Sequence, residues 1–386
     1  MAFLPSAAAG VLHDVAGAVP ELAPELSELE ELFSRKLWHQ LTLIVDKIVA
    51  APAVRKTKLG RRLYELFIKS VEKHLKPLKL AEYGCRLASG FDSADELIEF
   101  HDDFVAKLQS DKEACAVARL SVAEARVMKG ELREADTIID ECENDIRDVG
   151  AVEPFVQGRL HVVKAVLAKA RGEADEFYRH ALQSFAFIPL ESFYDSPEQV
   201  KLGEDICIAA IIGESTQGFG ELIGHPVFEV ARQSVNRWLA ELVECMNTGD
   251  VEGFERVLDA HKERIAREPS LAGKEDKLRE KVRLLAAMNL AFSKPPHERV
   301  LSFEEISAAT GTPVDRVEIL LIRAFATKVL KGLIDEPNQN VHITWIKPRV
   351  LTVDQVAGLR DRLDAWTGEV DKTVSLLKDQ APEFFQ

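Results

Sequence analysis

One segment, residues 299–351, constrains the fold of this chain more than any other, because it has the pattern of a helix-turn-helix closed by a β-hairpin. Ser302 and Glu305 have the spacing of a capping box, in which a hydroxyl and a carboxylate satisfy each other's backbone N–H groups. A helix is therefore expected to begin near Phe303. Gly311 can end that helix, because glycine readily adopts the left-handed conformation. The pattern predicts a winged helix.

The second helix of this segment is expected to start at Pro313, with Thr312 as its cap. Apolar residues three and four positions apart predict that one face is buried. These residues are Val314, Val317, Leu320, Leu321, Ala324, Phe325 and Val329. Two β-prone runs, 333–334 and 341–346, flank a turn over residues 336–340, and they predict the hairpin that forms the wing.

The charge of this domain bears on what it binds. Between residues 300 and 350, six Lys and Arg residues balance six Asp and Glu residues. The whole chain has 49 basic and 64 acidic residues, which gives a net charge of −15. A winged helix that binds DNA or RNA is expected to be basic, because neutralisation of phosphates provides most of the non-specific affinity. Protein assembly is therefore favoured, and a nucleic-acid-binding regulator is the less favoured alternative.

A wing can offer an open β edge whose unpaired backbone groups bind another chain. The last strand of the predicted wing is the candidate edge for such a contact. Its residues are Val341, His342, Ile343, Thr344, Trp345 and Ile346.

Composition limits the class of protein. A hydrophobic content of 46% over 386 residues can supply a substantial core for two or three domains. The longest strongly apolar run, 206–212, is far shorter than the roughly 20 residues that cross a bilayer. Asp14 interrupts the apolar N-terminus, so no secretory leader is expected. Five scattered cysteines without a CxxC pair predict reduced thiols and neither a zinc site nor a disulfide framework.

A local pattern recurs in the first two thirds of the chain. Gly130, Gly172 and Gly249 are each followed by an acidic residue, and apolar residues stand five and nine positions later. The apolar residues are Ala135 and Ile139, Phe177 and Ala181, and Phe254 and Leu258. The gaps of 42 and 77 residues between the glycines correspond to one unit and about two units of roughly 38 residues. A TPR-like solenoid of paired helices is predicted, with an irregular helical bundle as the alternative.

The remaining segments set the predicted domain boundaries. Apolar residues at 278, 282, 285, 288 and 292 predict one helix that joins the solenoid to the winged helix. The resulting domains are a solenoid over 1–266, a winged helix over 274–351, and a C-terminal helix and tail over 352–386.

The C-terminal helix has an apolar stripe, which must pack against something. Bundling with other subunits and packing back on its own winged helix are both open. The stripe residues expected to contact other proteins are Val356, Leu359, Leu363, Trp366, Val370, Val374 and Leu377.

Two patterns that could indicate chemistry have simpler explanations. The GxGxxxG run at 218–224 follows an apolar segment, but a dinucleotide site needs that segment to be a strand, and the Ala pair at 209–210 favours a helix. His101 stands beside two aspartates without a further ligand at metal-binding spacing, so a solvated helix face is expected. No catalytic triad, phosphate-binding loop or HExxH pattern occurs. The sequence therefore predicts no enzyme activity, cofactor or metal.

At the level of motifs, the chain resembles PCI-domain subunits, which combine helical repeats, a winged helix and a terminal helix. Residues 218–229, GFGELIGHPVFE, are similar to the FGELLxHPVLE segment of non-ATPase regulatory subunit thirteen, a lid-subunit family of the 26S proteasome. Residues 301–306, 331–336 and 341–351 resemble the same family. Gly224 and Phe228 depart from it, since larger or aliphatic residues are usual there.

The resemblance implies a non-catalytic lid subunit that supports ubiquitin-dependent protein degradation and is cytoplasmic and nuclear. Such subunits join their winged helices edge to edge and gather their C-terminal helices into a bundle. The implied partners are other lid subunits, especially a neighbouring PCI subunit, with ubiquitin-receptor and deubiquitinase subunits nearby. Nucleic acid and membrane are not implied partners. A PCI subunit of the COP9 signalosome or of an initiation-factor complex is the alternative within the class.

Overall fold

The structure is a computed structural model, and it describes residues 6–55, 57–91, 93–190, 196–295, 299–348, 350 and 353–380. The chain divides into two compact units, residues 1–213 and 214–386. The boundaries proposed from the sequence, 1–266, 274–351 and 352–386, stay a prediction.

The first unit is helical throughout its described residues. Its α-helices are α1 (Ser6–Ala18), α2 (Ala23–Arg35), α3 (Trp38–Ala50), α4 (Pro52–Arg55), α5 (Lys58–Leu63), α6 (Lys69–Val71), α7 (Pro77–Leu87), α8 (Ala94–Lys107), α9 (Lys112–Lys129), α10 (Leu132–Arg147), α11 (Pro154–Arg171), α12 (Ala174–Phe185) and α13 (Ser196–Ile212). A π-helical turn at Tyr64–Ile68 and short 3-10 turns at Pro20–Leu22, Glu72–His74 and Ala88–Gly90 connect the early helices.

Two glycine-linked hairpins, α9–α10 and α11–α12, form the regular part of this unit. Gly130 and Gly172 end α9 and α11 with φ of 88° and 76°, in the left-handed region that glycine tolerates best. The predicted apolar positions of both second helices are buried. Helix α9 contacts both α7 and α11, so the first hairpin packs against the second and against an earlier helix. The predicted helical-repeat fold is confirmed.

The second unit begins with more helices and ends with the winged helix. Its helices are α14 (Gly220–Ile223), α15 (Pro226–Arg232), α16 (Trp238–Thr248), α17 (Val251–Ala260), α18 (Lys262–Arg267), α19 (Glu275–Ser293), α20 (Phe303–Thr310), α21 (Val314–Ala326) and α22 (Val353–Gln380). Its strands are β1 (Val300–Ser302), β2 (Leu330–Asp335) and β3 (Asn340–Ile346).

A third glycine-linked hairpin, α16–α17, lies in this second unit. Gly249 ends α16 with φ of 73°, and the Asp250 carboxylate accepts a hydrogen bond from the backbone N–H of Gly253 at 2.8 Å. Phe254 and Leu258 are buried, as the repeat pattern predicts. Helix α19 contacts this hairpin as well as α20, α21 and β3. One helix therefore packs both the hairpin and the winged helix, as expected.

The helix-turn-helix agrees with the sequence prediction except at one cap. Ser302 and Glu305 form both hydrogen bonds of the capping box, and Gly311 ends α20 with φ of 61°. Helix α21 begins at Val314, however, with Pro313 at the N-cap position. The predicted cap by Thr312 is wrong, because its hydroxyl is buried and makes no hydrogen bond within the described part of the chain.

The wing is a three-stranded antiparallel sheet in the order β1-β3-β2. Strand β1 pairs with β3 from Val300 opposite His342 to Ser302 opposite Asn340. The Ile343 N–H also donates to the Arg299 carbonyl at 2.9 Å. The interpretation of β3 as an open edge is therefore wrong, because β1 and β2 flank it.

Candidate protein-interaction surfaces

The open edges of the described sheet belong to β1 and β2. Strand β2 carries Leu333, whose side chain is 72% exposed, at a position opposite His342. Next to it, the Lys331 ammonium lies 4.8 Å from the ring centroid of Trp345, at the range of a cation–π contact. Of the six predicted contact residues in β3, Val341 and Ile343 are buried, whereas His342, Thr344 and Trp345 are exposed and Ile346 is half-buried.

A bulge explains why neighbouring residues of β3 are both exposed. The register shifts between Lys331, which lies opposite Trp345, and Gly332, which lies opposite Ile343. A Cβ atom on Gly332 would lie 2.3 Å from the His342 carbonyl oxygen, so the bulge requires glycine here. The extra residue, Thr344, places its side chain beside Trp345 on the exposed side.

The exposed face of α21 carries apolar side chains together with acidic and basic ones. Ile319 and Ile322 are 54% and 52% exposed, one helical turn apart. Asp315 and Arg316 lie near the start of the same helix, and Arg323 forms an ion pair with Glu280 of α19. A recognition helix that binds in a DNA groove would instead present several unpaired basic side chains to the phosphates.

The apolar stripe of α22 is exposed to solvent along its length. Trp366 is 66% exposed and Leu363 is 53% exposed. The other predicted contact residues are exposed or, at Val374, half-buried: Val356, Leu359, Val370, Val374 and Leu377. The helix therefore does not bury its stripe against the residues that the structure describes. A contiguous row of exposed apolar side chains is typical of protein-interaction surfaces, so the interaction role predicted for this stripe stays a prediction.

The residues that follow the wing pack against the chain around Gly220, part of the segment 218–229 that carried the family resemblance. The Lys347 ammonium donates to the Gln217 side-chain oxygen at 2.5 Å and to the Ser215 carbonyl at 3.0 Å. A Cβ atom on Gly220 would lie 2.7 Å from the Val350 carbonyl oxygen. The chain leaving the wing therefore passes directly over Gly220, and only glycine leaves room for it. No local pattern predicts this contact, because the two segments are 130 residues apart in the sequence.

The residues considered for chemistry are structural in the described chain. His101 is 1% exposed and lies between Phe100 and Phe104, so the expected solvated face is wrong. Burial lowers the pKa of His101 to about 3. The run 206–212 belongs to helix α13, which excludes the dinucleotide motif. Within the described ranges, no group of three or more His, Cys, Asp or Glu side chains is arranged to hold a metal ion.

A histidine pair joins α11 to α12. The Nδ1 atoms of His161 and His180 are 3.0 Å apart, and the His161 ring stacks on Phe187. Burial lowers the pKa of both rings, and the nearby Arg179 lowers the pKa of His180 further, to about 4. Both rings are therefore neutral at pH 7. The pair acts as packing between the two helices of a hairpin.

Family models match most of the chain. Residues 25–243 match the model described as PSD13 N-terminal repeats, which covers more than half of the chain. The chain belongs to the PSD13 family. Residues 258–345 match the PCI domain, which includes α19, the helix-turn-helix and nearly all of the wing.

Relatives that align over nearly the whole of this chain have names that agree with this family. The probable 26S proteasome regulatory subunit rpn9 of Schizosaccharomyces pombe is 32% identical over 364 residues, 93% of each chain. The 26S proteasome non-ATPase regulatory subunit 13 of Dictyostelium discoideum is 30% identical over 364 residues, 94% of each chain. Homolog B of that subunit in Arabidopsis thaliana is 28% identical over 382 residues, 98% of this chain and 99% of the relative. The predicted family, fold class and function as a proteasome regulatory subunit are confirmed.

The alternative within the PCI class has weaker support. Eukaryotic translation initiation factor 3 subunit M of Emericella nidulans is 24% identical over 231 residues, which cover 58% of this chain and 50% of that protein. This distant likeness spans only part of both chains. None of the helices in the described ranges has both the length and the apolar content that crossing a membrane requires.

Proposed function

We propose that this PSD13-family chain is a non-catalytic scaffold of the lid of the proteasome regulatory particle. Its role is to join other lid subunits, in the cytoplasm and the nucleus, so that ubiquitinated proteins are held and degraded. The observation that carries this proposal is the exposed apolar stripe of α22, with Trp366 at 66% exposure. Burial of that stripe against helices of other subunits would supply much of the free energy of assembly.

The wing sheet provides a second contact in this proposal. The open edge of β2, with Leu333 beside it, is suited to a neighbouring PCI subunit, because unpaired backbone groups of an edge strand can extend into another sheet. Exposed residues of β3, namely His342, Thr344 and Trp345, lie on the adjoining surface. Ubiquitin-receptor and deubiquitinase subunits are proposed to lie nearby. Nucleic acid and membrane are not proposed partners.

The test is assembly of a helix variant in cells. Leu363→Asp with Trp366→Asp should block co-purification with other regulatory-particle subunits, because two carboxylates would be desolvated in the bundle. The same variant should leave the melting temperature of the isolated chain within about 2 °C of the parent, because both side chains are exposed in it. Affinity purification with quantitative mass spectrometry and a thermal melt measure the two effects.

A matched control changes the opposite face of the same helix. Ala365→Asp with Lys372→Asp introduces two carboxylates away from the stripe, and it should assemble normally. If the stripe variant assembled as well as this control, the bundling role of α22 would be refuted. A large loss of thermal stability in the isolated stripe variant would instead support packing of α22 on its own chain.

A further inference from the structure

Two segments of the first unit meet at a stacked pair of rings. The Trp38 indole, at the start of α3, stacks on the His74 imidazole with 4.2 Å between the ring centroids and 6° between the ring planes. Phe33 of α2 lies edge-on to Trp38 and also contacts Phe67, so the corner between α2 and α3 packs against the helical stretch that ends at His74. Residues that flank Trp38 and residues that flank His74 therefore lie close together.

This corner is basic in an acidic chain. The segments 33–43 and 69–79 contain six Lys and Arg residues and one Glu residue, whereas the whole chain has a net charge of −15. Four of the six are exposed lysines that form no ion pair and no side-chain hydrogen bond within the described ranges. We call these four residues the lysine surface: Lys36, Lys69, Lys73 and Lys76.

Nearby carboxylates do not neutralise the lysine surface. Glu72, the acidic residue of the two segments, already pairs with a lysine of α8 at 3.1 Å. Two carboxylates around the corner have no ion-pair partner in the part of the chain that the structure describes. Glu30 precedes Lys36 by six residues, or about 9 Å along the axis of α2, where salt screens much of its charge. Asp103 of α8 adds to the effect of burial in raising the pKa of Tyr64. Four free lysines against these two carboxylates leave a positive excess.

Lys36 has a backbone conformation that normally selects glycine. Its φ is 57°, and it ends α2 by donating its N–H to the carbonyls of Leu32 and Phe33. Glycine holds the corresponding position in the three hairpins α9–α10, α11–α12 and α16–α17. A side chain in the left-handed region costs free energy. Lysine at this turn therefore favours a role for its ammonium group outside the fold.

Apolar side chains lie among the lysines. Leu37, next to Lys36, is 40% exposed, and Leu66, three residues before Lys69, is 37% exposed. The Trp38 and His74 rings already cover one face of each other, which leaves less aromatic surface for stacking with the bases of a nucleic acid. A partner that offers carboxylates and apolar side chains together would complement this surface.

We propose that the lysine surface binds an acidic segment of a partner protein, one that carries apolar residues between its carboxylates. The four lysines pair with its carboxylates, and Leu37 and Leu66 contact its apolar side chains. A nucleic acid or an anionic membrane extends its charge well beyond one corner, where the rest of an acidic chain would repel it. A short segment avoids that repulsion. This binding goes beyond the proposed scaffold role, and it depends neither on α22 nor on the wing.

The test is fluorescence anisotropy of a short fluorescein-labelled peptide of alternating Glu and Leu, titrated with the full chain. Binding should saturate and should weaken as salt is added, because exposed charges are screened. Lys73→Gln with Lys76→Gln should weaken binding about tenfold, because two surface ion pairs are lost. Lys262→Gln with Lys328→Gln removes two exposed lysines of the second unit, and this matched control should bind the peptide as the parent does.

Lys36→Gly separates binding from folding. Glycine adopts a φ of 57° without strain, so this variant should melt no lower than the parent while binding the peptide about threefold more weakly. Lys328 of the second unit has the same φ of 57°. Lys328→Gly is therefore the matched control, and it should show the same thermal effect with no loss of binding.

Three results with the peptide would overturn the proposal: no saturable binding, equal binding of a Gln-Leu peptide, or an equal loss of affinity in the second-unit control. A fluorescein-labelled polyuridine oligonucleotide is titrated in parallel. Tighter binding of the oligonucleotide than of the Glu-Leu peptide, lost in the Lys73→Gln with Lys76→Gln variant, would assign the surface to nucleic acid and would also overturn the proposal.

Discussion

The repeat hairpins and the C-terminal helix α22 have apolar residues at the same spacing of three and four, but they differ in what covers those residues. Phe254 of the third hairpin is fully buried against its own chain, whereas Trp366 of α22 is 66% exposed. Each hairpin helix has a neighbour close in sequence, joined to it by a tight glycine turn. Helix α22 has no such hairpin partner among the described residues. Periodicity therefore predicts an apolar face, and the elements packed around a helix decide whether that face is buried.

Alanine substitutions of these two aromatic residues should show the largest difference in stability between a buried and an exposed apolar face. Phe254→Ala should lower the free energy of unfolding of the isolated chain by about 3 to 5 kcal/mol, because it leaves a cavity in the core. Trp366→Ala should change it by less than about 0.5 kcal/mol, because the side chain is exposed. Chemical denaturation of both variants measures the difference. Equal losses would contradict the distinction between the two regions.

Two glycine turns sharpen the comparison within the repeats. Gly249→Ala should destabilise the chain by about 2 to 3 kcal/mol, because its φ of 73° is strained for alanine and the new Cβ would lie 2.8 Å from the Ala286 Cα. Gly130→Ala adds strain only, because no atom lies within 4 Å of its Cβ position, and it should cost about 1 kcal/mol. Thermal melts of the two variants, side by side, test the contribution of packing. A larger loss at Gly130 would contradict the packing at Gly249.

The histidine pair should give the α11–α12 hairpin a pH dependence. Folding lowers the pKa of His161 and His180, so protonation favours the unfolded chain. The contribution is fully present at pH 7 and is lost as the pH falls from about 6.5 toward about 4. Lys164 and Arg179 disfavour the charged rings, whereas Glu143 and Glu176 favour them.

Melting curves between pH 7 and pH 5 measure this effect. His161→Gln with His180→Gln should flatten the decline in melting temperature that the parent shows over this range. The exposed His39 of α3 supplies a matched control, because His39→Gln should leave the decline unchanged. Parallel declines in the parent and the double variant would assign the pH dependence to other groups.

The smallest expected effect on stability concerns the edge of the wing. Leu333→Asp should leave the melting temperature nearly unchanged, because the side chain is 72% exposed, and should weaken association with a neighbouring PCI subunit. Ile343→Pro would not test the same contact, because the Ile343 N–H already binds Arg299 within the chain. Loss of this Ile343 N–H in the proline variant should destabilise the wing itself. Pull-down of both variants, with their melting temperatures, distinguishes a contact surface from an internal strand.

Local chemistry accounts for the parts of the fold that were predicted correctly. Ser302 and Glu305 need only each other to cap a helix, and Gly130, Gly172 and Gly249 need only a left-handed conformation. Strand β1 could not be predicted in this way, because three residues are too few for a periodic pattern. Its pairing with β3 is a long-range contact, and it changed β3 from an open edge to the central strand. The error at His101 has the same cause, since helix α7 packs against it at Gly84, where an added Cβ atom would lie 3.5 Å from the His101 ring.

The sequence by itself determined the helical hairpins, the winged helix, the balance of charge and the apolar stripe of α22, because each depends on residues a few positions apart. Only the tertiary structure decided which edge of the wing is open, that Lys347 and Val350 pack against the chain around Gly220, and that His101 is buried. These features depend on residues far apart in the chain. Their positions follow from packing of whole elements, which no local pattern specifies.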